Sequence, residues 1–117
     1  MKKLLIAAII SLSSVTTAAV AEVKVGIILG FTGPIESLTP AMRDGARMAF
    51  DEASNSGNLL GGETFTILEA DSTCVDSAAA TAAAEQLVAE GVAAIMGADC
   101  SGVTGAINAN VAVPNGI

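Results

Sequence analysis

Val23-Lys24-Val25-Gly26-Ile27-Ile28-Leu29, followed by Gly30, is an almost unbroken apolar and β-branched run. A strand with one wet face alternates, whereas a strand covered on both faces reads continuously, as it does in parallel sheets. These residues therefore predict a buried first strand. Outward from it, the loop Phe31-Thr32-Gly33-Pro34 leads to Thr39 at a helix N-cap position and Pro40 at the first helical position. Met42, Ala46, Ala49, Phe50 and Ala53 then recur at helical spacing as one apolar stripe, which assigns Arg43, Asp44, Arg47 and Asp51 to a solvated face.

The Asn- and Gly-rich segment Asn55 to Gly62 breaks that helix before a second strand, Glu63 to Glu69. From Asp76 to Glu90 the helical period returns: Ala80, Ala84, Leu87 and Val88 share a face, and Gly91 supplies a stop. The alanine tract also fits low-complexity disorder, but alanine is the best helix former and the polar residues keep their spacing, so helix is the reading adopted. Val92 to Met96 predicts a third strand and Gly97 to Ser101 a turn. Gly102 to Ala112 follows as a helix with Val103, Ala106, Ile107 and Val111 inward, ended by Pro114-Asn115-Gly116. Strands alternating with helices long enough to cross over predict the α/β class, a parallel sheet with flanking helices.

The N-terminus is different in kind. Met1, Lys2 and Lys3 form a charged head, Leu4 to Leu12 an apolar stretch too short to span a bilayer, and Ala19-Val20-Ala21 the small residues a signal peptidase accepts. Residues 1–21 are therefore expected to be a cleaved secretory signal and residues 22–117 the mature part; a membrane anchor or a buried strand is the plainer alternative. No cysteine stands near the cut to accept a lipid. The 117 residues carry 12 acidic and 5 basic side chains and no His. Past residue 21, Lys24, Arg43 and Arg47 face all twelve acids, a net charge of -9. Such a surface lacks the cationic stripe that nucleic acid requires, and imidazole metal ligands are absent, so no nucleic-acid partner, metal or cofactor is expected. Neutral and zwitterionic solutes are tolerated. A fourth buried strand is due at Ile117, so the segment is expected to be a fragment of a longer lobe.

Cys74 and Cys100 each stand just past the carboxyl end of a predicted strand, and adjacent strands would bring their loops together. In an exported chain a structural disulfide is the main reading, contributing about 3 to 4 kcal/mol in the chain-entropy description. A redox pair or a cysteine nucleophile competes with it, without C-x-x-C spacing or an activating His in these residues. Gly97-Ala98-Asp99-Cys100-Ser101-Gly102 lies between a strand and a helix, where first-turn amides and the positive helix end face an anion. Ser101 adds a hydroxyl that caps its own helix, donates to a ligand carboxylate, or does both. The glycine loop Gly30 to Pro34 matches neither G-x-G-x-x-G nor a Walker loop, and Phe31 would obstruct a pyrophosphate. Asp51-Glu52 and Asp71 with Asp76 offer paired carboxylates, yet solvation or helix capping explains them more simply. No catalytic residue is assigned.

Taken together, these residues resemble the leucine/isoleucine/valine-binding group, the periplasmic substrate-binding proteins of branched-chain amino-acid ABC transporters. The resemblance runs through Val23-Lys24-Val25-Gly26, Thr32-Gly33-Pro34, Asp44-Gly45-Ala46-Arg47, Asp71 before Cys74, and Met96-Gly97-Ala98-Asp99-Cys100-Ser101. It implies two α/β lobes joined by hinge crossings with ligand trapped between them, residues 22–117 forming part of the N-terminal lobe of a type I periplasmic binding protein. It further implies that Cys74 and Cys100 match a disulfide of family members and that Ser101 matches the serine bonding the ligand carboxylate. Leu38 falls at or near a position where relatives often place an aromatic residue against the ligand. Leu38, Cys100 and Ser101 are thus the candidate ligand-binding residues, with the ammonium-binding groups beyond Ile117.

The expected function is capture rather than catalysis. The protein would be the extracytoplasmic, periplasmic component of an ABC importer, monomeric when full length, delivering an amino acid or related small zwitterion to a membrane permease. Two rival classes are the ligand-sensing domain of a receptor and a periplasmic α/β enzyme with catalytic residues beyond Ile117.

Overall fold

The computed structural model describes residues 21–59 and 61–117, so the expected signal peptide lies, but for its last residue, outside the described residues. The elements are β1 (Glu22–Leu29), α1 (Thr39–Asn55), β2 (Thr64–Asp71), α2 (Ser77–Ala89), β3 (Ala94–Gly97) and α3 (Ser101–Ile107). A π-helical turn, Asn108–Ala112, and α4 (Val113–Asn115) prolong the last helix. All strand pairs are parallel, in the order β2-β1-β3. The most continuous apolar run thus becomes the central strand, with Val25 to Leu29 buried throughout.

This order fixes the layers. The chain moves from β1 to β2 in one direction and from β2 past β1 to β3 in the other. Right-handed crossovers in opposite directions must place their helices on opposite faces. Accordingly α1 covers one face, where the Phe50 ring meets Phe65 edge-on with centroids 5.0 Å apart. On the other face α2 and α3 enclose the main core of Ile28, Ala80, Ala84, Leu87, Val103, Ile107 and Val111. Gly26 makes that closeness feasible, because a Cβ there would come 2.7 Å from Leu87 Cδ1.

Several local expectations need correction. Thr39 is the first helical residue of α1 rather than its N-cap, a position held by Leu38 with no side-chain cap bond. The Thr39 side chain is buried and its hydroxyl donates to the Gly30 and Glu36 carbonyls at 3.3 and 3.2 Å. The apolar stripe of α1 is also narrower than its spacing suggested: Ala46, Phe50 and Ala53 turn inward, while Met42 and Ala49 are exposed. Arg43 and Arg47 are not merely solvated, since both reach Glu69 on β2, at 4.0 and 2.6 Å. Asp44 adds a 2.7 Å pair to Arg43 and holds its guanidinium pKa above the ordinary value. These half-exposed pairs orient α1 more than they stabilise it.

The last helix does not stop at Pro114. Proline lacks an amide hydrogen and its ring crowds the carbonyl one turn back, and the wider π turn just before it accommodates both defects. Gly116, left-handed at φ 70°, ends the helix.

Candidate functional site

From its carboxyl end β1 leads to β2 on one side, while β3 joins it on the other. That divergence is a topological switch point, the place where open α/β sheets leave a crevice for ligand. The loops of residues 30–38 and 98–100 flank it.

Three ties bind the loops at this edge. The first is the Cys74–Cys100 disulfide, with Cα atoms 5.2 Å apart. The strands before the two cysteines, β2 and β3, are not adjacent, contrary to the expectation from the sequence; the bond crosses the end of β1, which lies between them. Gly30 makes the crossing possible, because a Cβ there would sit 3.2 Å from the Cys74 Cβ. The second tie is Asp99, whose carboxylate accepts the Gly30 amide at 2.9 and 3.2 Å and the Ser72 hydroxyl at 3.4 Å. The third is Asp71, which accepts from the Thr32 hydroxyl at 2.6 Å, the Thr32 amide at 3.3 Å and the Thr73 amide at 2.8 Å. Partial burial pushes the Asp71 pKa up, but the Thr32 hydroxyl and the backbone amides outweigh it and hold the carboxyl below its ordinary 3.8.

Reading Asp71 as a solvated carboxylate is thereby corrected, while Asp76 is a cap, accepting from the Ala78 and Ala79 amides. The Asp71 turn had a local sequence signal, an Asp two residues before the amide that it binds. Asp99 had none, since its partners lie 69 and 27 residues away.

Ser101 is exposed at the first position of α3, so the N-cap role considered for it falls to Cys100, which makes no side-chain cap bond. Among the described residues the Ser101 hydroxyl has no hydrogen-bond partner, and no side chain caps the first-turn amides of α3. The Cys100 sulfur is committed to the disulfide. Thr104 fixes the turn from the helix side, its hydroxyl donating to the Ala98 carbonyl and, at 2.9 Å, to that of Cys100. Leu38, on the loop after β1, is 61% exposed. A groove of about 630 Å³ is lined by residues of β3, of the turn after it and of α3, Asp99, Ser101 and Thr104 among them. Among the described residues no three His, Cys, Asp or Glu side chains are grouped to hold a metal ion.

The family of periplasmic binding proteins matches residues 22–117. The chain is 28% identical over 97 residues to the Leu/Ile/Val-binding protein BraC3 of Rhizobium johnstonii, covering 83% of this chain and 26% of the relative. Its structure is similar, at a TM-score of 0.73 and 28% identity, to that of the branched-chain amino acid transporter substrate-binding protein LivJ from Streptococcus pneumoniae in complex with isoleucine. That match covers 82% of this chain and 27% of the other. A possible leucine/isoleucine/valine-binding protein from Rhodopirellula baltica superimposes with the same TM-score at 24% identity, covering 86% of this chain and 27% of its own, a likeness of fold. The chain spans about a quarter of the length of the relatives it matches. Sheet order, crevice and sequence match agree: the chain belongs to the periplasmic binding protein family.

Proposed function

We propose that residues 22–117 form part of the N-terminal lobe of a two-lobed extracytoplasmic protein that captures a branched-chain amino acid and presents it to the permease of an ABC importer. One observation carries this reading. At the switch point an exposed serine hydroxyl and the uncapped first-turn amides of α3 have no side-chain acceptor among the described residues. An α-carboxylate supplies the missing acceptors and meets the positive end of the helix. The ligand class is suggested by the Streptococcus relative, solved with isoleucine. Exposed Leu38 offers an apolar surface on the facing loop, and Cys100 contributes backbone, its sulfur being occupied.

The mechanism is capture without a covalent step, so the protein is not an enzyme. An open crevice admits the zwitterion, and closure of the second lobe excludes water and strengthens the bonds to Ser101 and the amides. The ammonium and the rest of the side-chain pocket fall to parts of the protein outside this segment. Residues 1–21 act as the signal peptide, the mature protein is periplasmic, and it works as a monomer. Calorimetric titration of the two-lobed protein with isoleucine, leucine and valine tests this. Ser101→Ala weakens them by roughly 1.5 to 3 kcal/mol, the range for a hydrogen bond to a charged group. Unchanged affinity would refute the carboxylate role.

A further inference from the structure

We propose that Asp99 is a positioning residue for this carboxylate site. Its side chain anchors the Cys100-Ser101 turn to the end of β1 and so sets where the Ser101 hydroxyl and the α3 amides meet the ligand. The inference rests on the preceding reading of Ser101 and deepens it. Asp99 lies two residues before Ser101, and its carboxylate reaches the loops that follow the other two strands: the Gly30 amide after β1 and the Ser72 hydroxyl after β2. Thr104 holds the same turn from within the helix. The disulfide restrains Cys100 through rotatable single bonds; the paired bonds from Gly30 restrain the peptide immediately before it.

Charge and position act on the ligand with opposite signs. A carboxylate beside a carboxylate site repels the ligand, so if charge were the effective feature, removing it would tighten binding. If position is the effective feature, altered geometry weakens binding even when the charge is kept. Asp99→Asn keeps the shape and one acceptor oxygen while losing the charge. Asp99→Glu keeps the charge and moves it by one methylene.

Isoleucine is titrated into the intact two-lobed protein carrying each variant, alongside Ser101→Ala. Positioning requires Asp99→Glu to raise the Kd about tenfold, the size of one strained charge-assisted hydrogen bond, and Asp99→Asn to stay within about threefold of the parent. Asp99→Glu carries the support, and if it does not fold, Asp99→Asn can still overturn the proposal. An Asp99→Glu protein that binds like the parent overturns the proposal, as does an Asp99→Asn protein weakened as much as Ser101→Ala. If Ser101→Ala itself leaves the Kd unchanged, the carboxylate reading fails. If Ser101→Ala weakens binding while Asp99→Glu does not, only the positioning role of Asp99 is lost.

Discussion

Replacing both Cys74 and Cys100 by serine removes one covalent bond and little else. The cysteines are 26 residues apart, and closing a loop of that size lowers the entropy of the unfolded chain by about 12 cal/mol/K, or about 3.5 kcal/mol at 25 °C. The native side of the balance changes little, because Gly30 leaves open the space beneath Cys74 and a serine hydroxymethyl fits where the thiomethylene was. Asp99 and Thr104 still hold the turn that carries Ser101. The loss should therefore arise almost wholly from the released unfolded chain. Urea unfolding followed by circular dichroism should show a lower midpoint, a steeper m because the unfolded chain expands, and a stability loss close to 3.5 kcal/mol. A loss below about 1 kcal/mol would mean that the loop is restrained without the bond. A loss above about 5 kcal/mol at unchanged m would mean that the bond maintains native geometry which the hydrogen bonds cannot, and the entropic account would fail.

Gly97→Ala should destabilise by more than about 3 kcal/mol or prevent folding, since Gly97 is left-handed at φ 123° and a Cβ would overlap the Ile28 carbonyl of the paired strand. Gly91→Ala, also left-handed at φ 84° but with nothing within 4 Å, should cost only about 1 kcal/mol in the same denaturation assay. Asp76→Ala uncaps α2 and should cost about 1 kcal/mol, with faster amide exchange at Ala78 and Ala79, whose amides it accepts. Asp71 has a native pKa below the ordinary 3.8, so its contribution is fully present above that pH and is lost as pH falls through the lower native value. Asp71→Asn should accordingly flatten the acid limb of the stability profile below about pH 4, and an unchanged limb would remove Asp71 from the ties that bind these loops.

The elements were legible because periodicity reports how each segment is covered. Val25 to Leu29 read as covered on both faces, and they lie in the central strand; the 3.6-residue spacing of Ala80, Ala84 and Leu87 survived the alanine-rich composition because small apolar residues still bury. Strand order was not legible, since periodicity says that a strand has two covered faces and not which strands cover its edges. A hint was present in β2, where Thr64, Thr66 and Glu69 interrupt the apolar residues as an edge strand permits. Misplaced details share one cause. Thr39 and Ser101 were judged as caps by residue type, whereas Thr39 is drawn away by the Gly30 carbonyl and Ser101 stands one position past the cap. Arg43 and Arg47 were judged by helix face, whereas Glu69 arrives from another element.

The carboxyl edge combines features that would each be costly alone. Thr73 and Cys74 are both left-handed, at φ 57° and 69°, a conformation that β-branched threonine in particular resists. Strain of this kind persists only where the surroundings over-determine it. Here they do: Asp71 accepts the Thr73 amide, the Thr73 hydroxyl accepts the Asp76 amide at 3.1 Å, and Cys74 is covalently bound across β1. A turn so constrained keeps one conformation, and through the disulfide it fixes where Cys100 and the start of α3 stand. If Ser101 takes a carboxylate as proposed, little ordering cost falls on this side of the crevice.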